Sequence, residues 1–316
     1  MSDVMIPSPA LLEDVFKLKY HQQNKCFNAT DDLVVLTFDD NYMDQSINLM
    51  LSLIRNNEKR ISFICLCLDL SAANVETLLK MDIGIQVKLY DLSVEINTGR
   101  WSRSALLRLF TPWLLDESIA KILYMDSDII CCGNIRELFD MDVSYVAMGN
   151  EISGNVSETQ QNTYRKLFPT QIYCNSGVVL INLDKLRTEF SFQDMLMQCV
   201  DICSKYPYPD QDFLNIFFDG KIQYFNGLCY NFQVYELINS CKYKNALKLC
   251  KLIHFSCGKP WNPKTDRRII KLYLTHTEHF VMKSRIKKVL RKNLFVGSLH
   301  RILTKLKAVK SLLRKT

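Results

Sequence analysis

The chain has 316 residues, of which 48% are hydrophobic and 11% aromatic, so it can bury a large core and is not an intrinsically disordered chain. Its net charge is +7, but twelve Lys and Arg and no acidic residue lie between Lys283 and Thr316. Because the whole chain has 40 basic and 33 acidic residues, the part before Lys283 is slightly acidic. The excess of basic residues lies in one C-terminal segment, so the charge of the protein as a whole does not indicate a general affinity for polyanions.

The cysteines and the apolar segments together indicate the compartment. The twelve cysteines lie mostly within apolar runs, as at Cys65 and Cys67, without a CxxC zinc spacing, so we interpret them as reduced core thiols. Cys199 and Cys203 fit one face of a helix better than a pair of metal ligands. The first residues lack the basic and apolar regions of a secretory signal, and no apolar stretch approaches the ~20 residues of a membrane span. We therefore expect a cytoplasmic protein, peripheral on the inner face of the cell membrane.

Hydrophobic periodicity predicts alternating strands and helices after an N-terminal leader, residues 1–30, to which we assign no function. In chain order the pattern predicts a strand at Leu33–Phe38, a helix from Met43 to Ile54, a strand at Ile61–Leu68, a helix at Ala72–Lys80, a strand at Gln86–Tyr90, a helix at Ser104–Leu115, strands at Lys121–Met125, Tyr145–Gly149 and Gly177–Asn182, a helix opening at Asp210, and strands at Ile222–Phe225 and Leu252–Phe255. This alternation predicts an α/β fold with parallel strands joined by crossover helices.

Two acidic clusters follow predicted strands directly, at the sheet edge where open α/β sheets bind ligands. The first is the DDNY segment at residues 39–42, and the second is Asp126-Ser127-Asp128. Two carboxylates at positions i and i+2 of a turn can share a hard divalent cation, which would neutralise a diphosphate leaving group. The alternative is a solvated turn with two acids, and the DxD pattern alone does not separate the two interpretations.

The wider context of the acid pair resembles glycosyltransferase family 8. The segment LYMDSDIICCGNIRELF, residues 123–139, is similar to the family's metal-binding segment, in which a DxD follows a strand and precedes a helix start. Further segments are similar to other motifs of the family in the same order: DDNY, SALLRL, CNSGVVLINLDKLR, DQDFLN and HFSCGKPW. Together the matching segments span residues 33–262, most of the chain.

The resemblance implies a single GT-A domain over residues 31–281, Rossmann-like and with a mixed, mainly parallel central sheet. It also implies a retaining hexosyltransferase that moves glucose or galactose from UDP-glucose or UDP-galactose to a cell-surface glycan, with the lipid-linked lipopolysaccharide core as the favoured acceptor. The alternatives are glycosylation of a surface protein, a sugar-1-phosphate nucleotidyltransferase, and a binding module with a degenerate site. Against the nucleotidyltransferase, DDNY is not a Gly-rich phosphate loop.

The resemblance implies that the first acidic cluster binds the nucleoside. Asp39, Asn41 and the backbone near Thr37 hold uracil and ribose, and Tyr42 packs on the base. A carboxylate can accept the uracil imide N–H, and an aromatic face stacks on a planar ring. Asp and Asn also favour an Asx turn at the end of a strand, which is the structural alternative.

The metal and the diphosphate are assigned to the second cluster and to HFSCGKPW. The resemblance implies that Asp126, Asp128 and His254 bind Mn²⁺ or Mg²⁺, while Gly258 and Lys259 hold the diphosphate. Lysine suits that task as a mobile point charge. Gly258 and Lys259 are adjacent here, whereas the family's motif separates its glycine from its lysine. From the residues alone, a histidine after a strand can equally be structural.

The donor sugar is assigned to three of the matching segments. By resemblance Arg108, Asn175 and Asp210 contact the sugar, Gln211 lies beneath its anomeric carbon, and the catalytic residues are Arg108, Asp210 and Gln211. Arg108 can instead extend outward to solvent, and acids such as Asp210 are common at helix N-termini. The substrate-binding residues assigned around the sugar are Arg108, Asp126, Ser127, Asn175, Ser176, Asp210 and Gln211.

The basic segment, residues 282–316, predicts two short amphipathic helices separated by Gly297. Its apolar residues recur at helical spacing, and an acid-free cationic face favours an anionic membrane surface. The stripe can alternatively pack on the body of the protein. Nucleic acid is not expected as a partner, because no aromatic platform is interleaved with the charge. The sequence makes no prediction of oligomeric state.

Overall fold

The computed structural model describes residues 11–96, 98–99, 102–150, 162, 166, 172–234, 246–256 and 258–291. The strands in this part of the chain are β1 Phe16–Gln23, β2 Asp32–Thr37, β3 Ile61–Cys67, β4 Gly84–Leu92, β5 Lys121–Met125, β6 Ile129–Cys131, β7 Val146–Gly149, β8 Val178–Asn182, β9 Ile222–Phe225, β10 Phe232–Gln233 and β11 Leu252–His254. They form an eight-stranded sheet in the order β1-β4-β3-β2-β5-β8-β7-β9 and a three-stranded sheet in the order β10-β11-β6.

The helices connect these strands. They are α1 Leu12–Val15, α2 Met43–Asn56, α3 Ala72–Leu79, α4 Thr111–Leu114, α5 Arg136–Asp140, α6 Leu183–Glu189, α7 Phe192–Lys205, α8 Pro209–Phe217, α9 Gly227–Tyr230 and α10 Arg267–His276, followed by α11 over residues 280–291. Short 3-10 helices lie at Asp40–Tyr42, Arg103–Phe110 and Ala246–Lys248.

The large sheet is mixed and mainly parallel, as expected. Strands β2, β3, β4 and β5 pair in parallel, and β7 pairs in parallel with β9. Strand β8 runs antiparallel to β5 and β7, and β1 runs antiparallel to β4. The predicted α/β fold with a mixed, mainly parallel sheet is therefore confirmed.

Two apolar clusters cover the two faces of the large sheet. Neighbouring residues of one strand point to opposite faces, so Val35 belongs to one cluster and Val34 to the other. Because both faces are covered, β3 is buried along its whole length, and its sequence is apolar apart from Ser62, with no alternation of polar residues. This is why Ile61–Leu68 could be predicted as a strand.

Strand β1 lies within the N-terminal leader, residues 1–30, for which the sequence pattern predicts no strand. Only its first residue, Phe16, is buried, and the exposed remainder is mostly polar. Its place at the sheet edge depends on backbone pairing with β4, which hydrophobic periodicity cannot reveal. The predicted helix at Ser104–Leu115 also differs, because the chain forms the 3-10 helix Arg103–Phe110 and then the short α4, with Pro112 at its N-terminus.

The C-terminal part of the described chain packs against the small sheet. Met282 and Ile286 of α11 are fully buried in a cluster with residues of β6, β11 and α10. The start of the predicted basic tail is thus attached to the body, while Gly297 and the second predicted helix lie outside the described residues. No helix in the described part of the chain combines the length and apolarity needed to cross a bilayer.

The described cysteines are free thiols and most of them are buried. Cys199 and Cys203 lie one turn apart on α7, with their sulfur atoms 3.8 Å apart. Burial raises the pKa of the Cys67 thiol to about 12, so this thiol stays protonated and unreactive at neutral pH. Cys241 and Cys257 lie outside the described residues.

Candidate active site

Strand pairing brings the three predicted metal ligands together. Asp126 and Asp128 lie in the turn between β5 and β6, and His254, the last residue of β11, is opposite Ile129 of β6. His254 Nε2 lies 3.3 Å from Asp128 Oδ1 and 3.8 Å from Asp126 Oδ2. One ligand atom from each residue lies within 4.8 Å of the others. Two carboxylates and an imidazole are a suitable donor set for a divalent metal ion.

The predicted phosphate-binding lysine lies beside this cluster. The ammonium of Lys259 pairs with Asp128 Oδ2 and is 5.9 Å from the ring centroids of both Tyr42 and Trp261. Burial acts to raise the pKa of Asp128, but the charge of Lys259 and the adjacent His254 side chain hold it well below its ordinary value. Burial also acts to lower the pKa of Lys259, yet Asp128 raises it. Both groups are therefore charged at neutral pH.

Arg108 is buried behind the acid pair and does not extend to solvent. Its guanidinium donates to Asp126 Oδ1 at 2.8 Å and to the Ser176 carbonyl at 2.9 Å, and lies 3.3 Å from Asp210 Oδ2. It also stacks 4.1 Å above the Tyr124 ring. Burial acts to lower the pKa of Arg108, but Asp126 and Asp210 raise it above its ordinary value. Arg108 thus links Asp126, a predicted metal ligand, to Asp210, which is predicted to bind the sugar.

The residues predicted to contact the sugar form a second cluster, between the start of β8 and the N-terminus of α8. Gln211 Oε1 accepts from Asn175 Nδ2 at 3.0 Å and from the Ser176 backbone N–H at 3.3 Å. The Ser176 hydroxyl donates to Asp210 Oδ2 at 3.1 Å. Burial raises the pKa of Asp210, and Arg108 partly offsets the rise. The structure therefore brings Asn175, Ser176, Asp210 and Gln211 together, with Arg108 beside them.

Two glycines in the segments that match the family, Gly177 and Gly258, have local packing roles. A Cβ on Gly177 would lie 2.2 Å from His254 Cε1, so glycine is needed there for the histidine to approach the acid pair. A Cβ on Gly258 would lie 2.7 Å from Ile269 Cδ1 of α10. The requirement at Gly258 comes from apolar packing, and its predicted contact with diphosphate stays a prediction.

The residues predicted to bind the nucleoside lie in and around the turn that follows β2. Asp39 and Asn41 line a cavity of about 520 Å³, and Asp39 Oδ1 also accepts from the Asn41 backbone N–H at 3.0 Å. Asp39 therefore forms the Asx turn and at the same time lines the cavity. Tyr42 is not among the lining residues and packs edge-on against Trp261, with ring centroids 5.9 Å apart. The Thr37 hydroxyl is buried, 3.0 Å from the Tyr124 hydroxyl.

Ser127 differs from the other assigned residues because its side chain is buried against α2. Its hydroxyl is 2.8 Å from that of Ser46, and only 6% of the residue is exposed. This contact joins the DxD turn to α2 and leaves little of the side chain for a ligand. A role for Ser127 in substrate binding stays a prediction.

Sequence reasoning missed several residues that support the site. Asn215 lies one turn after Gln211 on α8, where its side chain holds the backbone N–H and carbonyl of Cys174 at 2.8 and 2.9 Å. The spacing within DQDFLN places Gln211 and Asn215 on one helix face and could have indicated this role. Asn231, which follows α9 and bonds to His254, carries no comparable signal in the sequence.

The strand ends of this mixed α/β sheet bring together an acid pair, a histidine and two basic side chains, Arg108 and Lys259. This fold and this site define a glycosyltransferase of the GT-A class, an enzyme that transfers a sugar from a nucleotide sugar. The sequence model of glycosyl transferase family 8 matches residues 33–265. The chain belongs to this family, and the resemblance seen in its motifs is confirmed.

Individual relatives agree with this assignment. The lipopolysaccharide 1,2-glucosyltransferase of Escherichia coli K12 is 25% identical over 281 residues, which cover 82% of this chain and 79% of the relative. The lipopolysaccharide 1,3-galactosyltransferase of Salmonella typhimurium is 27% identical over 137 residues, 40% of each chain. The solved structure of galactosyltransferase LgtC with donor and acceptor sugar analogs superposes with a TM-score of 0.61 at 21% identity, covering 82% of this chain and 95% of that one.

Proposed function

We propose that this protein is a retaining hexosyltransferase that moves glucose or galactose from a UDP-sugar to a lipopolysaccharide core glycan. The convergence of Asp126, Asp128 and His254 beside Lys259 carries the proposal, because this arrangement suits a cation and a diphosphate together. The names of the two lipopolysaccharide transferases support the sugar and the acceptor. A glycan on a surface protein is the alternative acceptor.

The chain's own charges can bind and stabilise the diphosphate. Asp126, Asp128 and His254 would hold Mn²⁺ or Mg²⁺, which supplies positive charge against the departing UDP. Lys259 adds a second positive charge on the same side of the cluster. Arg108 holds Asp126 by a direct hydrogen bond, so the carboxylate is oriented before any ligand enters. Asp39 and Asn41, which line the cavity, would bind the uracil and ribose together with the backbone near Thr37. Tyr42 lies against Trp261, so its packing on the base requires the base to extend toward that side.

The hydrogen bonds of the sugar residues favour same-face attack over a covalent intermediate. An amide oxygen has two lone pairs, and those of Gln211 Oε1 accept from Asn175 and Ser176. Gln211 Oε1 therefore has both lone pairs engaged, and Asp210 Oδ2 is held by Arg108 and Ser176. In this proposal Asn175, Asp210 and Arg108 orient the sugar while the departing phosphate accepts the acceptor's proton.

The first prediction concerns donor turnover. We expect the protein to release UDP from UDP-glucose or UDP-galactose in the presence of Mn²⁺, and EDTA to abolish the release. A panel of UDP-sugars with and without lipopolysaccharide core acceptor, read by a UDP-coupled assay, measures this. The absence of turnover with every UDP-sugar and metal would refute the function. A glycosyl adduct on Gln211 or Asp210, found by mass spectrometry, would refute same-face attack.

We further propose that the basic tail binds the anionic inner face of the cell membrane. The described part of α11 supports this proposal, because one side of the helix packs on the small sheet while its cationic residues are exposed. Phe280 at the start of the helix is 81% exposed, and an apolar residue beside cations suits a lipid interface. The exposed basic residues of α11 are Arg285, Lys287, Lys288 and Arg291.

The second prediction tests this tail by deletion of residues 292–316, which keeps the buried Met282 and Ile286. The deletion removes seven Lys and Arg, and each basic residue near an anionic surface contributes about 1 kcal/mol. We expect affinity for phosphatidylglycerol vesicles to fall at least about 100-fold and UDP affinity to stay unchanged. Vesicle co-sedimentation measures the first, with neutral vesicles as the control. Equal vesicle affinity of the two proteins would exclude the anchor.

A further inference from the structure

We infer that Asn231 is a positioning residue that fixes the tautomer of His254 and connects the cation site to the sugar-binding residues. The inference rests on the proposed function, since it concerns the same cluster. Asn231 Oδ1 lies 2.9 Å from His254 Nδ1, and Asn231 Nδ2 lies 3.1 Å from Asn175 Oδ1 and 3.4 Å from the Asn175 carbonyl. Asn231, His254 and Asn175 are each at least 96% buried, so water does not compete for these bonds.

A backbone group fixes the polarity of these bonds. The Gly177 N–H can only donate, and it bonds to Asn175 Oδ1 at 2.9 Å. The atom of Asn231 that faces this oxygen must therefore be the amide nitrogen. This orientation turns Asn231 Oδ1 toward His254, and an amide oxygen can only accept, so His254 Nδ1 carries the proton. The lone pair of Nε2 then faces Asp126 and Asp128, as metal ligation requires.

The same backbone segment fixes the sugar side. Since Asn175 Oδ1 accepts from the Gly177 N–H, Asn175 Nδ2 must be the atom that donates to Gln211 Oε1. Gln211 Oε1 also accepts from the Ser176 backbone N–H. Gln211 Nε2 then donates to the Tyr173 hydroxyl at 3.0 Å, and that hydroxyl donates to Asp212 at 2.5 Å. One run of hydrogen bonds thus sets the orientation of the metal-ligating histidine at one end and of the sugar-facing amide at the other.

Local folding does not account for the Asn231 side chain. The short helix α9 is capped at its start by Asn226, whose side chain accepts from the Cys229 N–H. At its end, the backbone N–H of Asn231 donates to the Gly227 carbonyl, and the side chain takes no part in that cap. The Asn231 amide is directed to His254 and Asn175, so its effect is expected on cation binding.

The third prediction compares two substitutions of Asn231. Asn231→Leu removes both bonds, and loss of such a partner of a metal-bound histidine typically weakens metal affinity by about 10–100-fold. Asn231→Asp keeps an acceptor for His254 Nδ1, so we expect it to lose less Mn²⁺ affinity than the leucine variant. The affinity for Mn²⁺, measured by electron paramagnetic resonance with and without UDP, is the readout. Asn231→Ser replaces the leucine variant if that variant does not fold.

A matched control separates positioning from general destabilisation. Asn48 is equally buried and bonds to Tyr273 and to the backbone of Glu278 and His279, so Asn48→Leu should lower the melting temperature without changing Mn²⁺ affinity. The inference is overturned if Asn231→Leu, or the serine variant in its place, binds Mn²⁺ like the wild type. It is also overturned if Asn48→Leu loses as much affinity. Failure of the proposed function would instead be seen in the wild type, which would then release no UDP.

Discussion

Replacing Asp128 with asparagine is expected to lower Mn²⁺-dependent UDP release by about 10²–10³-fold, the size of effect seen when one preorganised group that stabilises a transition state is removed. The substitution keeps the shape of the side chain but removes the charge that faces both His254 and Lys259. Mn²⁺ affinity should fall in parallel, because a neutral amide oxygen is a weaker ligand than a carboxylate. Steady-state rates across a range of Mn²⁺ concentrations measure both effects.

An exposed aspartate supplies the control for this experiment. Asp219 lies at the surface after α8, and Asp219→Asn changes the net charge equally without touching the cluster. We expect this control to keep wild-type rates and metal affinity. Asp128→Asn that retains wild-type turnover at low Mn²⁺ would contradict the assignment of Asp128 as a ligand, and with it the observation on which the proposed function depends.

The predictable part of the fold is the part with strong local patterns. Ile61–Leu68 and Lys121–Met125 are apolar runs bounded by polar residues, and both form strands, β3 and β5, close to those bounds. Strand β1 could not be predicted, because only Phe16 contributes to the core and the rest is held by backbone pairing. A hydrophobic pattern reveals a strand only through its buried residues, so an edge strand with one buried residue produces almost no pattern.

The candidate site was predictable in its residue types but not in their connections. The DxD turn and His254 are separated by more than a hundred residues, and resemblance alone joined them before the pairing of β6 with β11 showed their contact. Asn231 has no sequence signal, since its partners come from distant segments that only the fold brings together. The sequence also left Arg108 open to a solvent-exposed role, whereas the structure pairs it with two acids.

Arg108→Leu is expected to lower the free energy of unfolding by about 3 kcal/mol, the lower end of the range for breaking a buried ion pair. Arg108 itself is buried, whereas the Asp126 and Asp210 side chains are 25% and 14% exposed. UDP release should fall as well, because Asp126 loses the hydrogen bond that orients it. Arg108→Lys keeps the charge, but an ammonium lacks the planar fork that reaches both Asp126 and Asp210, so an intermediate loss is expected. Denaturant unfolding with the three proteins side by side measures the difference.

The pH dependence of the Arg108→Leu variant gives a second test of the same pairing. Burial already raises the pKa of Asp210, and Arg108 opposes the rise, so removing the arginine should raise this pKa further. A carboxyl whose folded-state pKa exceeds its unfolded value of about 3.9 destabilises the fold at higher pH, and that penalty disappears as the pH falls. The stability gap between wild type and variant should therefore be widest near pH 7 and narrow toward pH 4.

Arg187→Leu is the matched control for this test. Arg187 donates mainly to backbone carbonyls, including those of Pro112 and Ile119. Its acidic neighbours are exposed, since Asp184 is 58% exposed at the side chain and Asp116 lies at the surface. Like Arg108→Leu, the Arg187→Leu substitution should destabilise the protein by breaking hydrogen bonds of the guanidinium. It does not, however, leave an enclosed carboxylate without a charged partner. The stability gap of this control should accordingly stay constant with pH. A gap for Arg108→Leu that also stayed constant from pH 7 to pH 4 would show that its partners are not charged in the folded protein.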